Sequence, residues 1–350
     1  MFRLEMLPAD HGDCLWIEYG DPNQPRRLLV DGGTTGTYRA VAARLDALAP
    51  EERLFELLIV THVDADHISG VLRLIDAKVP GLLFADVWFN GYRHLVDLEE
   101  FGPVQGEKLT TWLLRPGARW NAAFGSRAVV VADSGVLPAT SLVDGLTLTV
   151  IGPTRDKLTL LHPVWEKECR IAGLDPSVGV PPPEPAPPGL EFFGPPDIDA
   201  LANSAFEEDD AVANGSSISL LLEFEGRRVL LGADAHPTTL LATLDRLAPG
   251  GCLEVDAFKL PHHGSKYNVS RQLLARIRCD FYLFSTNGTH FSHPDLEAVA
   301  RVIKFGAEKP HLLFNYKTRY NRMWNDESLQ SQHGYLTRFA EKGEGLVLEL

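Results

Sequence analysis

No Cys-x-x-Cys pair occurs in this sequence, and its four cysteines, Cys14, Cys169, Cys252 and Cys279, stand far apart. That spacing argues against a zinc ribbon or a disulfide framework and suits thiols in a reducing compartment. Long apolar runs are missing too. No stretch approaches the roughly 18 uninterrupted apolar residues of a membrane span, and Met1 to Pro8 lack the apolar core and cleavage site of a secretory signal. The expectation is a cytoplasmic chain without a membrane segment. A basic excess is also absent: 33 Lys and Arg face 47 Asp and Glu, for a net charge of −14. A general coat for nucleic acid would be basic, so that class is excluded. An enzyme acting on nucleic acid is not, because bound dications neutralise carboxylates.

What is there is an ordinary globular composition, 45% hydrophobic and 23% charged, in a chain of 350 residues that can bury a large core. The most informative stretch runs from Leu57 to Gly70. Its apolar start, Leu57 to Val60, reads as a buried strand and stops at His62, Asp64, Asp66 and His67. A spacing of two keeps His62 and Asp64 on one side of an extended chain. Asp66 and His67 fall on the turn into a helix expected over 68–77. Four such side chains at a strand's C-terminal end could feed two adjacent metal ions; helix capping requires fewer.

Polar clusters close strands at three further places: Gly232 to His236 after 228–231, Pro261 to Lys266 after 254–260, and Ser285 to Pro294 after 281–284. Other strands are expected over 2–7, 14–19, 27–30, 83–89, 129–131, 146–151 and 217–224. Helices are expected over 38–49, 110–114, 157–172, 237–247, 271–277 and 296–305. Strand-rich stretches followed by strand–helix alternation, with polar groups at strand C-termini, suggest an α/β (α+β) domain over 1–350 with two sheets between helices. The proline-rich run 176–196 cannot hold a helix or a ladder. Residues 174–212 are therefore expected as an insertion, a plain linker or a docking segment for a protein partner, and the chain from 306 as an extension.

These ordered motifs resemble the metallo-β-lactamase fold superfamily, an αββα sandwich of two mixed β-sheets with its metals on one edge. The family's HxHxDH signature stands here as His62-Val-Asp-Ala-Asp-His67, with Asp64 in place of the second histidine. That departure is similar to the hydrolase domain of ComEC-type DNA-uptake proteins. So are Gly12-Asp13, Asp31-Gly32-Gly33, Asn214 before a hairpin that ends at Asp234, PHHGS at 261–265, and His293-Pro294. The resemblance implies two divalent metal ions, zinc or manganese. His62 and Asp64 would hold one, Asp66 and His67 the other, and Asp234 both. His263 or His293 would add a nitrogen ligand, the other protonating the leaving group, while His262 orients a ligand. A histidine usual before strand 217–224 is replaced by Asn214, and so oxygen-rich a set moves the preference from zinc towards harder ions.

The implied chemistry is attack by a metal-bridged hydroxide, with Asn214, Ser265, Lys266 and His290 on the substrate side. Six Lys and Arg between 301 and 322, interleaved with Phe314, Tyr316 and Tyr320, have the composition of a surface that tracks phosphates and stacks bases. The expected substrate is a phosphodiester in DNA or RNA. Two alternatives stay open: a small phosphodiester, ester or lactone, and a regulatory protein with a vestigial metal site. His11, His94, His162, His311 and His333 carry no motif.

Overall fold

The computed structural model describes residues 1–95, 104–171 and 195–350. Its strands are β1 (Phe2–Met6), β2 (Leu15–Tyr19), β3 (Arg26–Val30), β4 (Leu54–Phe55), β5 (Leu57–Ile59), β6 (Leu83–Phe84), β7 (Val87–Trp88), β8 (Ala139–Ser141), β9 (Thr147–Gly152), β10 (Ser219–Phe224), β11 (Arg227–Leu231), β12 (Leu253–Lys259), β13 (Ile277–Phe284), β14 (His311–Phe314), β15 (Leu336–Phe339) and β16 (Leu346–Glu349). The helices are α1 (Tyr38–Asp46), α2 (Ala65–Ala77), α3 (Val104–Leu113), α4 (Arg155–Ile171), α5 (Ile198–Ala202), α6 (Val212–Gly215), α7 (Pro237–Leu247), α8 (Arg271–Leu274), α9 (Leu296–Phe305) and α10 (Glu327–His333).

Two mixed sheets result, in the orders β16-β1-β2-β3-β5-β7 and β15-β14-β13-β12-β11-β10-β9-β8. In the first, β3, β5 and β7 run parallel; in the second, β11 to β15 do. Strands buried on both faces need apolar side chains at successive positions, and β3 and β5 have them. Leu28, Val30, Leu57 and Ile59 point into the core shared with the second sheet. Leu29 and Leu58 point the other way, against Val41 and Leu45 of α1 and Ile68, Val71 and Leu74 of α2. On the second sheet, Leu240 and Leu244 of α7 and Val299 and Val302 of α9 are buried in the larger core. The β10–β11 hairpin turns at Glu225 and Gly226, both with positive φ, which matches the right-handed twist of the strands.

Several expectations are corrected. The stretch 83–89 is two short strands, β6 paired with β4 and β7 at the first sheet's edge. Between them Asp86 accepts the N–H groups of Ala122, Ala123 and the Trp88 indole, which takes the chain out of line. Residues 129–131 make one isolated bridge, Val131 to Thr154, because the backbone of Val129 is bonded to the Asn90 amide instead. The helix expected over 271–277 stops at Leu274, and Ile277 already belongs to β13. The chain from 306 is no appendage: β14 and β15 widen the second sheet, and β16 pairs with β1 with Arg3 opposite Glu349. Of the expected insertion, 174–194 lies outside the described residues. From 195 onward it packs: α5 lies on α9, where Lys304 pairs with Asp199. Among the described residues no helix is long and apolar enough to cross a membrane.

Candidate metal centre

The parallel strands β3 and β5 end side by side, and their continuations build one wall of a polar cluster. Asp31 follows β3 and is buried. Its carboxylate accepts from Thr61 N at 2.8 Å and from Thr61 Oγ1 at 2.7 Å. The same carboxylate lies 2.8 Å from Nδ1 of His67, in the first turn of α2. Two glycines let backbone come this close. A Cβ added at Gly70 would meet the carbonyl oxygen of Gly32, and one added at Gly12 would meet that of Asp66. The Gly-Asp and Asp-Gly-Gly motifs thus brace the start of α2. Gly70→Ala is expected to cost about 1–3 kcal/mol, as overpacking does; the check is the urea-unfolding midpoint, and an unchanged midpoint would contradict the bracing.

Asp234 follows β11 and is the point of convergence. Its Oδ2 lies 3.4 Å from His67 Nε2, 3.6 Å from His263 Nε2, and 3.9 Å from Nε2 of both His62 and His262. Each ring is held from behind by its other nitrogen: His62 on Thr61 Oγ1 at 3.0 Å, His67 on Asp31, His263 on the Ser285 carbonyl at 3.0 Å, and His262 on Asn268 Oδ1 at 2.9 Å. The PHHG turn makes the last two convergent. His262, His263 and Gly264 take φ of 46°, 55° and 85° in succession, a strained left-handed run that aims neighbouring rings at one carboxylate. Asp66 Oδ2 is 3.4 Å from His263 Nε2, and Asp64 Oδ2 is 3.6 Å from His62 Nε2.

The donor set fits a metal. Nε2 of His62, His67 and His263 and Oδ1 of Asp234 and Asp13 are buried without a hydrogen-bond partner. A folded chain rarely leaves so many polar atoms unsatisfied together unless something else engages them. Asp13, His67, Asp234 and His263 offer ligand atoms within 4.8 Å of one another.

Charge in the cluster is mutually sustained. Burial favours neutral Asp234, but His67, His263 and His262 outweigh it and hold the carboxyl well below its ordinary range. Burial likewise opposes the charged form of His263, yet Asp234 and Asp13 push that ring up to about 9; His67 is raised well above its ordinary value, against burial, by Asp234 and Asp31. A raised histidine pKa stabilises the metal-free fold fully below the unfolded value of about 6.5. For His263 that contribution is lost as pH rises through about 9. Metal ligation needs neutral rings, so metal uptake at pH 7 is expected to release about two protons, and affinity should rise with pH. Calorimetry in buffers of different ionisation enthalpy reads this directly; a buffer-independent binding enthalpy would contradict it.

The remaining candidates are spread around this core. His293 is buried outside the ring of four, with its ring centroid 5.4 Å from that of His262 and its Nδ1 3.5 Å from Asp295. Asn214 is buried, and its amide nitrogen donates to Asp209 at 2.7 Å. Ser265 is buried and accepts from Tyr267 N at 3.2 Å. Lys266 is partly exposed, 3.5 Å from Glu297, and His290 packs between His11 and the exposed Phe291.

The cations of 301–322 do not form one face. Arg301 is buried on the carbonyls of Lys266 and Val269, and Phe314 and Trp324 are core residues. Sequence reasoning left five participants without a role. Asp13 and Asp31 stood only in quoted motifs. Lys259 reads as a strand residue, yet it is buried and paired with Asp13. Asp209 and Asn268, both touching His262, carry no sequence signal.

No family model matches this chain, and no curated protein is similar to it in sequence. Solved structures similar in fold include zinc-bound PqqB from Methylobacterium extorquens, at 11% identity over 99% of this chain and 100% of that one, with a TM-score of 0.45. The metallo-β-lactamase fold protein YhfI from Bacillus subtilis is also 11% identical, over 100% of both chains, with a TM-score of 0.41. The long form RNase Z from yeast is 11% identical over 90% of this chain and 36% of that one, with a TM-score of 0.39. Overlaps this loose concern outline only, and the chemistry rests on the residues described above.

Proposed function

We propose that this chain is a binuclear metal-dependent hydrolase of the metallo-β-lactamase type that cleaves phosphodiesters. The observation that carries this reading is the convergence of four imidazole Nε2 atoms on the buried carboxylate of Asp234. His62 and Asp64, joined by His262, would hold one divalent ion. Asp66, His67 and His263 would hold the other, with Asp234 shared. His262 then stands in for the histidine absent at 214, whose amide nitrogen is taken by Asp209.

When bound, two such ions lower the pKa of a water and neutralise charge on a phosphoryl group. The protein's own share is to orient and to exclude water. Asp31, Thr61 and the Ser285 carbonyl fix three rings. His293, buried beside His262, would be the leaving group's proton donor, against a burial that lowers its pKa. Lys266 and His290 would supply cationic and hydrogen-bonding contacts to a phosphate, with the buried Ser265 next to Lys266 in the chain. Carboxylates from Asp64, Asp66 and Asp234 make the set hard, which suits manganese as well as zinc.

DNA or RNA is the substrate of first choice. A second reading, a small phosphodiester, is favoured by the burial of Arg301 and the pairing of Lys304 with Asp199, which remove two cations from any polynucleotide track. Hydrolysis of bis(p-nitrophenyl) phosphate and of labelled single- and double-stranded DNA, with manganese or zinc added, tests both. Turnover of the small ester alone, unaffected by salt, selects the second reading; only a polyanion contact weakens steeply with salt. No turnover that depends on Asp66 and His67 with any of them sinks the proposal.

A further inference from the structure

The segment that leads from the proline-rich run into α6 reaches the metal cluster through one side chain. Asp209 Oδ2 accepts from Asn214 Nδ2 at 2.7 Å and from Asn268 Nδ2 at 3.0 Å, and it lies 3.4 Å from Nδ1 of His262. Asn268 is fully buried, and its other amide atom, Oδ1, lies 2.9 Å from the same His262 Nδ1. Asn214 Nδ2 is the rival neighbour of that nitrogen, at 3.3 Å.

We propose that Asp209 is a positioning residue that fixes the tautomer of His262, keeping the proton on Nδ1 and leaving Nε2 bare towards Asp234. Three contacts act in the same direction, nearer to the ring than the Asp234 carboxylate that draws a proton to Nε2 from 3.9 Å. The negative charge of Asp209 close to Nδ1 favours a proton there. Its bond to Asn268 Nδ2 turns the amide so that Oδ1, an acceptor, faces His262; the carbonyls of Asp234 and Ala235, each 3.3 Å from Asn268 Nδ2, support that orientation at longer range. By engaging Asn214 Nδ2, Asp209 also withholds the one nearby amide that would donate to Nδ1 and drive the proton to Nε2. Which ring nitrogen is free for a metal is set by what the other one bonds.

The inference rests on the metal reading only for its affinity arm. The tautomer arm needs no metal. In metal-free protein with ¹⁵N-labelled histidine, at a pH high enough for the ring to be neutral, His262 is expected to show a protonated Nδ1 and an unprotonated Nε2. Asp209→Asn keeps the shape but places a donor among donors, and should move the proton to Nε2 in a substantial fraction of molecules. Affinity for the more weakly held manganese or zinc ion, read by chelator competition, should fall about 10–100-fold in that variant. The double variant Asp209→Asn/Asn268→Asp restores a carboxylate in contact with Nδ1 and should recover both readouts. It also serves if the single variant does not fold.

Glu208→Gln separates positioning from anchoring. Glu208 ties the same segment to α7, accepting from Thr238 N at 2.7 Å and from Thr238 Oγ1 at 3.0 Å, so its loss should leave the His262 tautomer unchanged. The inference is overturned if wild-type His262 carries its proton on Nε2, if Asp209→Asn leaves the tautomer as it was, or if Glu208→Gln shifts it equally. A wild-type chain that binds no metal would fail the functional reading alone, with the tautomer comparison still deciding this one.

Discussion

Asp234→Asn is expected to abolish metal-dependent hydrolysis, with a loss on the order of 10³-fold or more, since a shared anionic ligand both holds the ions and sets their spacing. The amide keeps the size of the side chain but not its charge. Four rings would then face a neutral group where they now face a buried carboxylate at 3.4–3.9 Å. Two consequences distinguish this from simple unfolding. Burial would no longer be opposed by Asp234 at His67 and His263, so both rings should titrate lower than in the wild type. Proton release on adding metal should shrink with it. Circular dichroism and a histidine titration by NMR check that the fold persists while the titration moves. A variant that keeps its turnover would show that Asp234 is not the shared ligand.

The second large effect belongs to Lys259, whose ammonium is buried on Asp13 at the floor of the site. Lys259→Met leaves a buried carboxylate without its cation, and breaking such a pair costs about 3–5 kcal/mol. Burial alone would raise the Asp13 carboxyl; Lys259 and then His263 outweigh it and hold it well below the ordinary range. A depressed carboxyl contributes stability that is fully present above the unfolded value of about 3.9 and is lost as pH falls. Without Lys259 the folded carboxyl titrates higher, so that contribution should be smaller and its loss complete at a higher pH. Urea titrations across pH 3–7 on the order of one-unit steps read both effects. Replacing the pair together, as Asp13→Leu/Lys259→Met, should recover much of the stability, because two matched apolar side chains need no partner. Equal stability of Lys259→Met and wild type at every pH would contradict the role given to the pair.

The αββα arrangement was legible because its evidence is local. Apolar runs such as Leu57 to Val60 and Ser219 to Phe224 are buried on both faces, and polar groups stand where the strands end. The HxDxDH stretch was legible for the same reason, since β5 and α2 place His62 and His67 by periodicity alone. What could not be read depends on contacts far apart in sequence. Lys259 and Asp13 are 246 positions apart, and Asp209 and Asn268 are 59 apart. The strands β14, β15 and β16 were missed because each is only four residues long and is held by neighbours rather than by its own pattern. The basic stretch misled because composition does not say which side chains face outward: Arg301 points inward to backbone carbonyls.

Metal stoichiometry tests most directly whether the cluster around Asp234 holds the two ions proposed for it. Protein stripped with chelator, reloaded with manganese or zinc, desalted and measured by elemental analysis is expected to hold about two ions per chain, and His67→Ala fewer than about one. Fewer than about one ion per wild-type chain, unrestored by either metal, would contradict the account.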